Sequence, residues 1–311
     1  MPEKPPQTIA RWSRPEPGRR RHLSVRILNR LLRPLGYTLT SDHFYEPLPT
    51  LSELSIASES ECRRQITFDR PAQMALLNEL FAEFGHELSG PGGIERFYDP
   101  NDSELGAGDA ELLYLVLRHR NPRRVIEIGC GGSTDVILSA LAAGKSADCE
   151  FTSVDPFSRQ GRDKQFLDKA RSAGVRMDFL RKPVQGLSSE FFRALGPRDV
   201  LFVDSSHVLK VGSDVEHEFL CVYPRLNSGV WVHIHDIFIP RYYPIEWARR
   251  LSRYWNEQQH LEVMLVNSRR YSPVLGVSLL AEAVDEAVRR AGSRVSIGKA
   301  PGSSFWFSIV G

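Results

Sequence analysis

Residues 124–134 read RVIEIGCGGST and decide the fold of this chain. The segment begins as a short apolar run and ends in a glycine-rich turn, the pattern of a buried strand that leads into a helix. Gly129 and Gly131 lack the side chains that would keep a ligand off the backbone. A helix that starts at Ser133 directs its free N–H groups at the same point. We therefore predict a ligand site in the crevice at the carboxyl end of this strand.

The chain beyond residue 124 alternates short apolar runs with helical patterns, which predicts βαβ units and a mostly parallel sheet. Strands are predicted at 124–128, 150–154, 176–180, 199–203, 229–235, 261–267 and 304–310. Helices are predicted near 133–143, 163–173, 187–195, 212–223, 244–257 and 278–291. The expected fold class is α/β, with a Rossmann-like, doubly wound sheet of seven strands.

A second motif ends the second strand, where residues 151–155 read FTSVD. Ionised Asp155 is a pure acceptor and can bind both hydroxyls of a ribose. The dinucleotide fingerprint is incomplete, because Thr134 stands where the third glycine is required. Either motif alone has a structural explanation, since tight turns use glycine and aspartates cap helices. Their occurrence at the expected separation favours a ligand site.

The segment from Glu127 to Gly131 resembles the E-x-G-x-G motif of class I S-adenosylmethionine-dependent methyltransferases. More narrowly, the chain is similar to a bacterial branch that includes small-molecule and sugar O-methyltransferases. The D-x-x-H segment of that branch matches residues 204–207, and its H-D-I segment matches residues 235–237. The resemblance covers about residues 105–311. It implies a methyltransferase whose last strand, near residues 304–307, runs antiparallel to the others.

The resemblance also implies which residues bind S-adenosylmethionine. Glu127, Gly129 and Gly131 would line its methionine part, Asp155 would hold its ribose, and Gln185 would lie near its adenine. The residues expected to bind the cofactor are Glu127, Gly129, Cys130, Gly131, Ser133, Asp155, Gln185 and Asp204.

Strands four and five end in side chains that can perform chemistry. Asp204, His207, His235 and Asp236 are expected around one opening, since the ends of parallel strands lie side by side. Asp204 and Asp236 could hold a divalent cation such as Mg²⁺, which would acidify an acceptor hydroxyl. Alternatively, His207 or His235 acts as a general base. A purely structural role, in which Asp204 caps a helix and His207 orients a turn, stays open. Ile237 stands where some metal-dependent relatives have a second acid, which weighs against the metal.

The sequence is consistent with three functions. The leading prediction is O-methylation of a small molecule or of a sugar or glycan hydroxyl, with residues 238–244 as a candidate wall of the acceptor pocket. A nicotinamide-dependent oxidoreductase is disfavoured by the missing third glycine. A non-catalytic pseudo-methyltransferase that binds a partner or a membrane is disfavoured by the intact Glu127, Gly129, Gly131 and Asp155.

The first 104 residues differ in composition from the rest. Residues 1–21 are rich in proline and arginine and are predicted to be a disordered tail. Residues 22–104 are predicted to form a helical extension before a methyltransferase domain at 105–311. The helices expected here and just beyond are near 22–35, 69–88 and 109–119. A basic amphipathic pattern allows a peripheral membrane contact through residues 19–35.

The overall composition restricts other functions. The net charge is +2 and no basic stripe crosses the sheet region, so we expect no nucleic-acid partner. The four cysteines are scattered, which indicates neither a zinc site nor a disulfide framework. The chain shows no secretory signal and no membrane-spanning run, so we expect a cytoplasmic protein. The pattern leaves the oligomeric state open.

Overall fold

The computed structural model of this chain describes most of it from residue 27 onward. The described residues are 27–35, 37, 39–40, 48–50, 52–54, 66–90, 92–103, 105–144, 148–158 and 161–311. The tail predicted at 1–21 lies outside them. The chain divides into two compact units, Met1–Glu61 and Cys62–Gly311.

In the first unit, residues 27–32 are helical and Arg33–Leu35 is a 3₁₀ turn. These residues belong to the helix predicted at 22–35, and residues 22–26 of that prediction lie outside the described residues. The side chains of Ile27, Leu31 and Leu35 are exposed. Membrane contact through this segment stays a prediction. No helix among the described residues is long and apolar enough to cross a membrane.

A sheet of seven strands forms the centre of the second unit, in the order β3-β2-β1-β4-β5-β7-β6. The strands are β1 Arg124–Ile128, β2 Glu150–Val154, β3 Arg176–Leu180, β4 Val200–Val203, β5 Trp231–Ile234, β6 Tyr271–Gly276 and β7 Phe305–Ile309. Strands β1 to β5 pair in parallel, whereas β7 is antiparallel to both neighbours. The predicted α/β fold with an antiparallel last strand is confirmed. The strand order reverses between β1 and β4, and this reversal opens a crevice at their carboxyl ends.

Helices cover the sheet. They are α1 Arg70–Phe84, α2 Asp109–Arg120, α3 Gly132–Ala143, α4 Arg162–Ala173, α5 Ser189–Arg193, α6 Asp214–His217, α7 Ile245–Leu251, α8 Glu257–Asn267 and α9 Ala281–Arg290. Alternate strand residues enter two separate apolar clusters, because neighbouring strand side chains point to opposite faces. Val125 belongs to one cluster and Ile126 to the other.

Helix α1 comes from the predicted extension, and its Leu77 and Leu80 belong to the first cluster. Helix α2 is buried along nearly its whole length. Both helices therefore form part of the core that supports the sheet. The predicted domain boundary at residue 104 stays a prediction.

The predicted strand at 261–267 is wrong, because this segment belongs to helix α8. Leu261 and Leu265 are buried and lie four residues apart, whereas Val263 between them is exposed. That spacing is helical, and a short apolar run does not distinguish a strand from a buried helix. The sixth strand, β6, contains Pro273, which sits at an irregularity of pairing on an edge strand, where proline is tolerated.

Candidate active site

A cavity of about 1250 Å³ opens at the carboxyl ends of β1, β2, β4 and β5. The predicted site residues that line it are Cys130, Gly131, Ser133, Asp155, Asp204, His207, His235 and Asp236. Glu127, Gly129 and Gln185 are not among its lining residues. A smaller cavity of about 760 Å³ lies at the other end of the strands and contains no predicted site residue.

The glycine turn after β1 is shaped by two different constraints. Gly129 has a φ of 85°, and a Cβ there would overlap the carbonyl oxygen of Asp204. Gly131 has an extended backbone, and a Cβ there would meet no atom within 4 Å. Gly129 therefore lets β1 and β4 approach each other, whereas Gly131 leaves its side of the backbone open to the cavity.

Glu127 braces this turn from within the core. Its carboxylate is fully buried and accepts hydrogen bonds from the hydroxyls of Ser133, Thr134 and Ser153, at 2.6 to 2.8 Å. Burial raises the pKa of Glu127 to about 8, although the three hydrogen bonds act in the opposite direction. These contacts join β1, β2 and the start of α3, so Glu127 positions the turn.

Asp155 follows β2 and anchors two loops at the cavity wall. One carboxylate oxygen accepts from the backbone N–H and the thiol of Cys130, both at 3.1 Å, and the other accepts from the N–H of Phe157 at 2.6 Å. Phe157 lines the cavity, yet its side chain is 90% exposed. Gln185, in contrast, donates to the carbonyl of Gly212 outside the lining.

An acid–histidine cluster lies in the same cavity, where β4 and β5 end. We use this name for Asp204, His207, Asp236 and Glu257. His207 Nε2 lies 3.2 Å from Asp204 Oδ1 and 3.8 Å from Asp236 Oδ2, while its Nδ1 lies 2.9 Å from Glu257 Oε2. His207 and Asp236 have φ values of 59° and 55°, a backbone conformation that is strained for residues other than glycine. One ligand atom each from Asp204, His207 and Asp236 falls within 4.8 Å of the others.

The charges of this cluster stabilise one another. Burial disfavours the ionised form of Asp204, but a hydrogen bond from His207 and the nearby His235 outweigh it and lower its pKa to about 2. Burial likewise disfavours the imidazolium of His207. Hydrogen bonds to Asp204 and Glu257 outweigh that effect and raise its pKa well above the usual value. The cluster therefore pairs an anionic Asp204 with a protonated His207.

His235 and His233 have different surroundings. His235 lines the cavity with Nε2 3.9 Å from Asp236 Oδ1, and Asp236 is itself held by the hydroxyl of Ser303 at 2.9 Å. His233 lies in the core, where its ring stacks on Phe202 with centroids 4.3 Å apart. Burial lowers the pKa of His233 well below its usual value, so this ring is neutral.

Sequence reasoning missed much of the far side of the cavity. We call this side the aromatic wall and define it as Phe238, Tyr242, Trp247 and Trp255. Trp255 connects the wall to the acid–histidine cluster, since its ring lies 4.3 Å from the ring of His207. Residues 238–244 were a candidate for this wall, but Trp247, Trp255 and Glu257 belong to no motif. A lone tryptophan or a helix-starting glutamate gives no signal in a single sequence.

Residues 126–237 match the family model described as a methyltransferase domain. This range includes the glycine turn, Asp155, and Asp204, His207 and Asp236 of the cluster. Residues 126–237 therefore form a methyltransferase domain. The methyltransferase resemblance stated from the sequence is confirmed. No curated protein matches the chain with a significant score.

Solved structures similar to this methyltransferase include two O-methyltransferases. One is TomG from Streptomyces achromogenes, involved in tomaymycin synthesis and solved with S-adenosylmethionine. It is 14% identical, with 79% of this chain and 92% of that chain covered and a TM-score of 0.38. The other is from Bacillus cereus and was solved with S-adenosylhomocysteine. It is 12% identical, with 83% and 96% covered and a TM-score of 0.40.

Proposed function

We propose that this methyltransferase transfers the methyl group of S-adenosylmethionine to a hydroxyl of a small molecule or sugar. One observation carries the proposal: a single cavity joins the open glycine turn and Asp155 to the acid–histidine cluster. A cofactor bound on the first side would present its methyl group to an acceptor held on the second. Most of the rate enhancement would come from this alignment.

The cofactor side offers one contact for each part of the ligand. The methionine part would lie on the open backbone at Gly131, beside the first N–H groups of α3. The Asp155 oxygen that accepts only from Phe157 keeps a lone pair for one ribose hydroxyl, and on the other oxygen a second hydroxyl would replace the Cys130 thiol, which is a weak donor. Phe157 gives adenine an exposed ring to stack on.

The acceptor side must align a hydroxyl and remove its proton. The acceptor oxygen forms a bond to the methyl carbon while the bond between that carbon and sulfur breaks. The electron pair of the broken bond stays on sulfur, which becomes neutral. The hydroxyl proton passes to a base at the cavity wall. We assign this role to His235, which faces the cavity and lies beside Asp236. Trp255 covers the ring of His207 and limits the access of water.

The acid–histidine cluster also fits a divalent cation. Asp204 and Asp236 offer two carboxylates, and His207 would offer Nε2 after a cation displaces its proton, while Glu257 orients the ring by binding Nδ1. Histidine ligands are commonly held by such a carboxylate. Mg²⁺ prefers oxygen ligands, and the imidazole also permits Mn²⁺. A cation bound there would lower the pKa of an acceptor hydroxyl.

Methyl transfer from labelled S-adenosylmethionine to phenols, catechols, sugars and amines tests the proposal. We expect the wild type to transfer label to at least one hydroxyl acceptor. A His235→Asn variant should have a lower turnover and an unchanged affinity for S-adenosylhomocysteine. Activity lost on chelation and restored by Mg²⁺ or Mn²⁺ supports the cation, and activity unchanged by chelation contradicts it. Label transferred only to amines contradicts O-methylation.

A further inference from the structure

Arg253 is fixed at the edge of the aromatic wall. Its guanidinium carbon lies 5.5 Å from the ring centroid of Trp247 and 5.3 Å from that of Trp255. Ser252, with a φ of 52°, ends helix α7 and turns the chain so that the N–H of Arg253 donates to the Trp247 carbonyl at 3.0 Å. The two indoles and the turn together hold the cation at the cavity.

This arginine differs from its neighbours on α7 in having no acidic partner. Arg249 and Arg250 both pair with Glu246, at 3.6 and 2.7 Å. No carboxylate among the described residues lies within ion-pair distance of Arg253. Indole rings offer a guanidinium no acceptor oxygen, so the N–H fork of Arg253 suits a planar anion.

Arg241 is a second arginine of the cavity with the same property. Its Nε and Nη2 donate to the hydroxyl of Ser278, and Nη2 also reaches the Ser278 carbonyl. In the described part of the chain it too has no acidic partner at ion-pair distance. Both arginines follow β5, whereas Asp155 and Gly131 follow β2 and β1. The cations therefore belong to the acceptor side of the cavity.

We propose that the acceptor carries a carboxylate, which Arg253 and Arg241 bind. The Trp255 ring centroid lies 4.3 Å from that of the His207 ring and 5.3 Å from the guanidinium carbon of Arg253, so one indole neighbours both groups. A six-membered ring stacked on the aromatic wall would span this distance, with its hydroxyl at the acid–histidine cluster and its anion at Arg253. This inference rests on the proposed methyl transfer.

Paired probes test the charge of the acceptor. The full chain, saturated with S-adenosylhomocysteine, is titrated with 3,4-dihydroxybenzoate and its neutral amide, and with glucuronate and glucose. Tryptophan fluorescence and calorimetry report binding, because two tryptophans lie in the wall. We expect the anion of at least one pair to bind about tenfold more tightly than its neutral partner. The pair that shows the preference distinguishes an aromatic acid from a sugar acid.

The variants assign the preference to the arginines. Arg253→Gln and Arg241→Gln should each reduce the ratio of the two affinities, and the double variant should abolish it. Arg250→Gln is the matched control, since it removes a nearby charge from helix α7 and should leave the ratio unchanged. S-adenosylhomocysteine should bind equally to the wild type and to all four variants. A change in S-adenosylhomocysteine affinity in the arginine variants would place these residues on the cofactor side and overturn the inference.

Three further results would overturn it: equal binding of charged and neutral probes, a preference that survives the double variant, or no binding of either anion at millimolar concentration. Each can occur while S-adenosylhomocysteine still binds, and then the proposed methyl transfer stands. A wild-type chain that does not bind S-adenosylhomocysteine contradicts both proposals.

Discussion

Two glycines separated by one residue should respond to the same substitution in opposite ways. Gly129→Ala forces an L residue into the left-handed region, at a cost of about 1–2 kcal/mol, and places a methyl group against the Asp204 carbonyl. The second effect resembles overpacking, which costs about 1–3 kcal/mol. We expect the free energy of unfolding to fall by about 2–5 kcal/mol and the Tm by roughly 10 °C.

Gly131→Ala should leave the fold intact. The backbone is extended there, and the added methyl would meet no atom within 4 Å, so the Tm should stay the same or rise slightly. The methyl would instead occupy the space where the cofactor lies against the chain. We expect S-adenosylhomocysteine to bind about tenfold to a hundredfold more weakly.

Thermal melting and calorimetric titration of the two variants separate these effects. A Gly131→Ala protein that binds S-adenosylhomocysteine as tightly as the wild type would refute the placement of the cofactor on this turn. A Gly129→Ala protein with an unchanged Tm would refute the close approach of β1 to Asp204.

Two further predictions concern buried carboxyl groups. Glu257→Gln removes the charge that holds His207 Nδ1 in a buried pair, and such a loss typically costs about 3–5 kcal/mol. We expect a clearly lower Tm and turnover than in the surface control Glu246→Gln, and an unchanged melting curve would argue against the pair. Glu127 has a pKa of about 8 in the folded chain and an ordinary value of 4.5. Between these two pH values the unfolded chain has released a proton that the folded chain retains. The stability that Glu127 contributes below pH 4.5 is therefore lost as pH rises to about 8, at up to about 1.4 kcal/mol per pH unit. Denaturant unfolding from pH 5 to 8 should show a flatter dependence for Glu127→Gln than for the wild type, and parallel curves would contradict the raised pKa.

The strand ends could be predicted because parallel topology brings them together. Once β1, β2, β4 and β5 are recognised, Asp155, Asp204, His207 and Asp236 must approach one edge of the sheet, and the cavity contains all four. The strand assignment failed where periodicity was ambiguous, at 261–267, and where Pro273 concealed an edge strand.

The rest of the site depends on contacts that local sequence does not encode. Glu257 binds His207 across 50 residues, and Trp255 reaches the same ring from the segment between α7 and α8. Glu127 fits the motif, but its full burial behind three hydroxyl groups follows from packing, and this makes it a brace for the turn.

The central claim is that this cavity binds S-adenosylmethionine, and calorimetric titration with S-adenosylhomocysteine tests it most directly. Asp155→Asn keeps one side-chain oxygen but loses the charge and one acceptor, and Asp163→Asn, at an exposed ion pair with Arg181, is the matched control. We predict saturable binding to the wild type and to the control, and binding at least about tenfold weaker for Asp155→Asn. No saturable binding to the wild type, or equal affinity in Asp155→Asn, would contradict the account.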